Sequence, residues 1–204
     1  MGTGTGIVTT SASVSLDGYI AGPGETGIDH LFAWYDAGTR VFPSANPGVS
    51  FTLSPADHAY LTATMARIGA LVVGRHLFDI TDGWGGTHPL DKPVVVLTHH
   101  VPHDWVVAHP AAPFRFVTTG IEDAVAAGHE AAAGLDVAVN AGRMASQALA
   151  AGLLEEVVLD VVPVLLGGGV PFFDDIGAAP RLLDGPEITP GERVTHLRFS
   201  VRAA

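Results

Sequence analysis

Leu71-Val72-Val73-Gly74-Arg75 and Val137-Ala138-Val139-Asn140-Ala141-Gly142-Arg143 are built alike. Each is an apolar run fit for a buried strand, each ends in a glycine followed by arginine, and each leads into a segment that reads as a helix. A strand-to-helix turn leaves backbone N–H groups unpaired at the positive end of the helix dipole, and glycine lets an anion come close to that backbone. The two turns are therefore candidate phosphate seats. The arginine beside each adds a planar fork of donors suited to phosphate oxygens, and a dinucleotide needs such a pair of seats. Turn glycines with solvated arginines explain either segment alone; the repetition favours ligand binding.

The composition bounds what such a site can serve. The 204 residues are 48% hydrophobic, which suffices for a full core, and nothing marks a second domain, so residues 1–204 read as one compact unit. A formal charge of −11 argues against a broad nucleic-acid or acidic-membrane surface, so any anion site must be local. The absence of cysteine excludes disulfides, thiolate zinc sites and cysteine nucleophiles. Met1-Gly2-Thr3-Gly4-Thr5-Gly6 lacks a basic region followed by an apolar stretch, and no run approaches the ~18 apolar residues of a membrane span. The expectation is a soluble, cytoplasmic protein whose residues 1–6 form a loose tail.

Ile7 to Leu16 alternates apolar and small polar residues and reads as the first strand. From Asp17 to about Thr52 the pattern breaks into Gly, Pro, Asn and aromatics, with a short helix near Leu31 to Ala37. Two readings stand there: a functional lid, or a surface excursion that packs Phe32, Trp34 and Phe42 onto the body. Ser54-Pro55-Ala56-Asp57 is a helix start with a capping serine, proline at the first helical position and a carboxylate near the positive dipole end. Strands follow at Leu71 to Val73, Val94 to Thr98, Phe114 to Val117, Val137 and Glu156 to Val162, with helices over Glu122 to Ala133 and Arg143 to Gly152. Antiparallel strands near Arg181 to Ile188 and Val194 to Arg202 close the chain. This order predicts an α/β fold: a mostly parallel central sheet with helices on both faces and an antiparallel C-terminal edge.

Other constellations carry less. His99, His100, His103 and His109 lie close in sequence, but Pro102 breaks any i, i+4 register and only Asp104 lies near, so no metal site is expected. No Gly-x-Ser-x-Gly turn is present for Ser-His-Asp catalysis. Glu155 and Glu156 read as ordinary exposed carboxylates, or one of them pairs with a basic group across a dimer contact or reaches the substrate. Gly167-Gly168-Gly169 after an apolar strand end permits close approach of backbone to ligand, and a flexible hairpin looks the same.

Four separated motifs resemble one family in order: Ser15-Leu16-Asp17-Gly18-Tyr19-Ile20-Ala21-Gly22-Pro23, Gly74-Arg75, Ala151-Gly152-Leu153-Leu154-Glu155-Glu156-Val157, and Pro163-Val164-Leu165-Leu166-Gly167-Gly168-Gly169. The chain is similar to the dihydrofolate-reductase-like family and, within it, to the C-terminal reductase domain of the bifunctional riboflavin-biosynthesis deaminase-reductase. The resemblance implies a dihydrofolate-reductase-like fold, NADPH as hydride donor, a small-molecule substrate and a homodimer. It implies that Gly74 and Arg75 sit at the pyrophosphate and adenosine 2′-phosphate, and that Thr98 and His99 line the adenosine end. It further implies that Ala141, Gly142, Arg143 and Met144 cradle the pyrophosphate and nicotinamide ribose.

On the substrate side, Asp17 is the candidate acid or base, with capping of the Asp17-Gly18 bend as its other reading. Tyr19, Gly167 and Gly168 are the candidate substrate contacts. Departures from the family pattern are Leu77, where threonine is common, and Asn140-Ala141, where the pathway reductases carry a glutamate before the glycine pair. The expected activity is an NADPH-dependent reduction of a small heterocyclic or carbonyl/imine substrate, similar to that of 5-amino-6-(5-phosphoribosylamino)uracil reductase. The alternative is a non-catalytic nucleotide-binding protein that keeps the cofactor cleft.

Overall fold

The computed structural model describes residues 6–177 and 180–202. The elements run in the order β1 (Val8–Ser15), β2 (Tyr19–Ala21), α1 (Ile28–Phe32), β3 (Arg40–Phe42), β4 (Phe51–Leu53), α2 (Pro55–Arg67), β5 (Ile68–Gly74) and α3 (Arg75–Ile80). They continue with β6 (Val94–Leu97), α4 (His103–Ala108), β7 (Phe114–Val117), α5 (Ile121–Ala132), β8 (Asp136–Asn140), α6 (Arg143–Ala150), β9 (Glu156–Val162), β10 (Val170–Pro171), β11 (Leu183–Pro190) and β12 (Thr195–Val201). Eight strands form one sheet in the order β11-β12-β9-β1-β8-β5-β6-β7. The six from β9 to β7 are parallel, and β12 and β11 add the antiparallel edge.

Alternation along β5 shows how both sheet faces are covered. Ala70 and Val72 point into a core shared with Ala124, Val125 and Ala127 of α5 and with Met144, Ala148 and Leu149 of α6. Leu71 and Val73 point the other way, into a cluster with Phe78 of α3 and Val94 and Val96 of β6. A strand buried on both faces has to be apolar throughout, which is why these runs are continuous rather than alternating. Gly128 lets α5 sit close, since a Cβ there would come within 2.8 Å of Val137 Cγ1. β9 lies between β1 and β12 with Val157, Val158 and Val162 buried, so its apolar character is used inside the sheet.

The segment from Asp17 to Thr52 carries local structure of its own. It holds β2, α1, a 3-10 turn at Ala33–Asp36 and the β3–β4 pair. Trp34 and Phe42 are buried in a third cluster with Leu31, Leu53 and Leu61, as the packing alternative expects, whereas Phe32 is half exposed. The histidine-rich stretch after His99 contains α4, with Pro102 just ahead of its first residue. Glu156 is buried, bridged to Arg67 at 3.2 Å and bonded by Thr9 Oγ1, so the exposed reading of that carboxylate is corrected. Of the expected N-terminal tail, residues 1–5 lie outside the described residues, and Gly6 packs against the backbone of Leu135.

Candidate cofactor and substrate site

β5 and β8 are parallel neighbours, paired Leu71↔Ala138 and Val72↔Val139, so their C-terminal ends deliver both Gly-Arg turns to the same edge of the sheet. The turns touch: a Cβ on Gly74 would lie 3.3 Å from Met144 Cγ. Gly74 has ordinary extended dihedrals (φ −81°, ψ 159°), so what glycine supplies there is a close approach to Met144 that a Cβ would crowd. At Gly142 the backbone itself requires glycine, with φ 76° and ψ −138°. The Gly142 N–H is spent on Phe172 O at 2.7 Å, and its carbonyl accepts from Ser146. The N–H groups that open α6 at Arg143 and Met144 have no intrahelical partner, as in any first turn, and they are the donors this seat offers.

The two arginines differ. Arg75 is held: Nε donates to Asp79 Oδ1 at 2.7 Å, and Nη1 donates to His100 O at 2.8 Å. Thr98, buried at the end of β6, also donates its hydroxyl to His100 O, while His99 is exposed. α3 is only six residues long, so the guanidinium rather than the helix dipole supplies most of the positive charge at the first seat. Beside it opens a cavity of about 640 Å³ whose lining includes Arg75, Phe78 and Trp105 together with the carboxylates of Asp79, Asp82 and Asp104. Arg143 by contrast is fully reachable, its closest carboxylate being Asp174 at 3.9 Å. Backbone donors, two guanidiniums and an adjoining aromatic-lined cavity fit a dinucleotide laid along the sheet edge.

The segment after β1 roofs this edge. β2 pairs with β10, and Ile20 Cδ1 reaches to 3.6 Å of where a Gly142 side chain would begin. A few residues on, the Glu25 carboxylate pairs with the His76 ring of α3. Asp17 stands at the start of the roof. Its carboxylate accepts from Ser15 Oγ (2.6 Å), Leu166 N–H (3.1 Å) and Gly167 N–H (2.7 Å), so it ties the end of β1 to the glycine-rich loop. The Ser15 hydrogen bond, joined by the two backbone N–H groups, holds this carboxyl below its ordinary value. Tyr19 is half buried on β2; Gly167 is exposed and Gly168 half buried on the loop that Asp17 holds. Gly169 fits the chain's own backbone, because a Cβ there would sit 2.1 Å from Ala21 O.

The matched family model is that of the RibD C-terminal domain, over residues 7–186. The chain belongs to this family. Among solved structures, a putative riboflavin biosynthesis protein from Shewanella sp. PV-4 is 24% identical with a TM-score of 0.67, over 96% of this chain and 99% of that one. RibD from Acinetobacter baumannii is 14% identical with a TM-score of 0.60; the match covers 98% of this chain but only 59% of that longer protein. Dihydrofolate reductase from Enterococcus faecalis, complexed with NADP(H), is 13% identical with a TM-score of 0.56, over 98% of both chains. No curated protein matches. The RibD C-terminal family and these neighbours establish the dihydrofolate-reductase-like fold. Among the described residues, no helix is long and apolar enough to cross a membrane.

One buried group escaped the sequence reading. His196 of β12 lies between two carboxylates, with Nδ1 2.7 Å from Asp160 Oδ1 and Nε2 3.1 Å from Asp57 Oδ1. Asp57 thus serves this pair as well as the positive end of the α2 dipole. The sequence does contain a signal: Asp160 interrupts an otherwise apolar strand run, and His196 shares the parity of buried Val194.

Proposed function

We propose that this RibD C-terminal domain protein is a reductase that binds a reduced nicotinamide dinucleotide across the Gly74-Arg75 and Gly142-Arg143 turns and reduces a small heterocyclic or carbonyl/imine substrate. The observation that carries the reading is the contact of the two turns at the ends of adjacent parallel strands. When bound, the dinucleotide supplies a hydride. Arg143 and the first N–H groups of α6 hold the pyrophosphate, with Ala141 and Met144 packed beneath it. Arg75, Thr98 and His99 take the adenosine end. A 2′-phosphate gives Arg75 a second anionic partner besides Asp79, which favours NADPH over NADH.

On the substrate side, the proposed contacts are Tyr19, Gly167 and Gly168, of which Gly167 donates its N–H to the carboxylate of Asp17. Three hydrogen bonds keep that group ionised in neutral solution, which suits it to fixing the loop and to orienting a donor on the substrate better than to giving up a proton. The second reading, a nucleotide-binding protein without turnover, draws on the same engagement of Asp17 and on Leu77 in place of a hydroxyl. Titration of the purified protein with NADPH and NADH, followed by NADPH oxidation against pterins, flavin precursors and enones, separates them. NADPH binding with substrate-dependent oxidation supports the reductase; binding without oxidation across the panel supports the alternative; no binding of either dinucleotide overturns both.

A further inference from the structure

The charged group beneath α2 is a junction of five segments. Asp57 comes from the first turn of α2, Asp160 from β9 and His196 from β12. The β11–β12 turn joins through Glu192 N–H, which donates to Asp57 Oδ2 at 3.0 Å, and Gly191 leaves room for the carboxylate that a Cβ would strike. The fifth segment is the roof. Trp34 sets its ring edge-on to His196 at 5.3 Å and donates Nε1–H to Ser13 Oγ, while Tyr60 stacks on the imidazole at 3.6 Å. The same roof segment carries Ile20 and Glu25 to the two Gly-Arg turns.

Ionised carboxylates only accept hydrogen bonds, so an imidazole between two of them must donate from both nitrogens, and only the imidazolium can do that. Buried ionic groups of this kind are seldom more stabilising than apolar residues of the same shape, so bulk stability is a poor reason to keep one. What the arrangement does supply is a fixed register among the segments that meet there.

We infer that His196 is a positioning residue for the proposed reduction: as the imidazolium it ties α2, β9 and the β11–β12 turn together, and through Trp34 it sets the pose of the roof over the dinucleotide. Loss of one ring proton leaves a carboxylate facing a bare nitrogen lone pair, and the junction loosens. A groove of about 420 Å³ opens beside the junction, lined by His196 with Tyr60, Thr64 and Arg198. The titratable groups facing the imidazole are Asp57 and Tyr60 from α2 and Asp160 from β9, with Tyr35 of the roof close to Asp160; Arg67, Glu187 and Arg198 share the groove. The carboxylates outnumber the nearby cations, which favours the charged ring.

The inference rests on the reductase reading only for what lies under the roof, and its first two tests need no cofactor. In histidine-labelled protein followed by nitrogen NMR, His196 is expected to keep both ring protons through the range in which exposed histidines lose one; a neutral single tautomer at neutral pH overturns the proposal. In His196→Gln, amide exchange over residues 28–36 is expected to quicken about tenfold or more while α5 is unchanged. Unaltered exchange there overturns it. Should that variant not fold, Tyr60→Phe, which removes only the hydroxyl bonded to Asp160, is expected to give a smaller rise over 28–36, and no rise at all is the contrary result. Where turnover is found, kcat/KM falls on the alkaline side as His196 deprotonates, and that limb is absent from His196→Gln; a limb that persists counts against the proposal. Failure of NADPH to bind, with the NMR and exchange results as expected, removes the reductase and leaves the junction.

Discussion

In the proposed reductase, Arg75 divides between structure and ligand. Asp79 and the His100 carbonyl hold it in place, so a phosphate meets a preformed donor with little ordering cost. Replacing it by alanine is expected to weaken NADPH binding by about 1.5–3 kcal/mol and NADH binding by less, as loss of a charged hydrogen bond predicts. Equal losses, measured by calorimetry at fixed salt, would move the 2′-phosphate elsewhere. Asp17 poses the opposite case. Its folded pKa is depressed, so its stabilising effect is present above the ordinary carboxyl value near 3.8 and is lost as pH falls through the lower folded value. Asp17→Asn should raise KM for the substrate several-fold, since a neutral amide holds Leu166 and Gly167 less well, and leave the neutral part of the pH profile unchanged. A variant that loses an ionisation from that profile would make Asp17 the acid. For His196 the sign reverses. Burial disfavours its charge, but the hydrogen bonds and charges of Asp160 and Asp57 outweigh this and push the folded pKa up. The resulting stability is therefore full below about 6.5 and is lost as pH rises through the folded value, which urea denaturation at several pH values will follow. A stability that rises across that range would contradict the assignment. Arg75 and Asp17 stand out in the sequence and His196 does not; Asp17 meets Leu166 and Gly167 from the far end of the chain, and His196 meets Asp57 and Asp160 only once the sheet closes.

The elements that read correctly are those whose burial imposes a pattern. Phe114–Val117 and Glu156–Val162 appear at their expected bounds, and α5 and α6 differ from expectation by one or two residues. The segment after β1 was opaque for a related reason: β3 and β4 are three residues each, too short for a period to show, and they exist because Phe42, Leu53 and Trp34 pack on α2. Of the candidate site, the two Gly-Arg turns were legible because strand, glycine and arginine are adjacent in sequence. The roof was not, since Ile20 and Glu25 reach those turns through tertiary packing. α2 itself began where its cap predicts. Ser54 Oγ accepts from the Asp57 N–H at 3.1 Å and donates to the Asp57 carboxylate at 2.6 Å, so one hydroxyl serves both the helix end and the buried junction. Ser54→Ala is accordingly expected to cost about 1–2 kcal/mol in urea denaturation, the upper part of the range for a lost cap, and to speed exchange over residues 28–36 as well. A loss confined to α2 would separate the cap from the junction.

At the scale of the molecule, the sheet has two open edges, and they are unequal. β7 is four residues long, whereas β11 runs for eight with its backbone exposed. A long edge of this kind invites pairing with another chain, and β11 carries devices that oppose it. Pro186 and Pro190 lack an N–H, the register shifts between Asp184 and Glu187, and both of those residues are acidic. Antiparallel pairing of two β11 strands about a two-fold axis would bring these carboxylates toward one another in a protein that already carries −11, a repulsion felt at low salt and screened above it. The homodimer implied by the family resemblance is therefore proposed to use a surface other than β11. Light scattering tests this with two proteins. The wild type should show one mass independent of concentration over the micromolar range, and Glu187→Val with Pro190→Val, which restores a donor and removes a charge beside exposed Ile188 and Leu183, should show a mass that climbs with concentration and climbs more in salt. If the double variant keeps the wild-type mass in high salt, the prolines and carboxylates are not what keeps this edge open. If the wild type itself loses mass when Glu187 alone is replaced by lysine, β11 is the dimer surface after all.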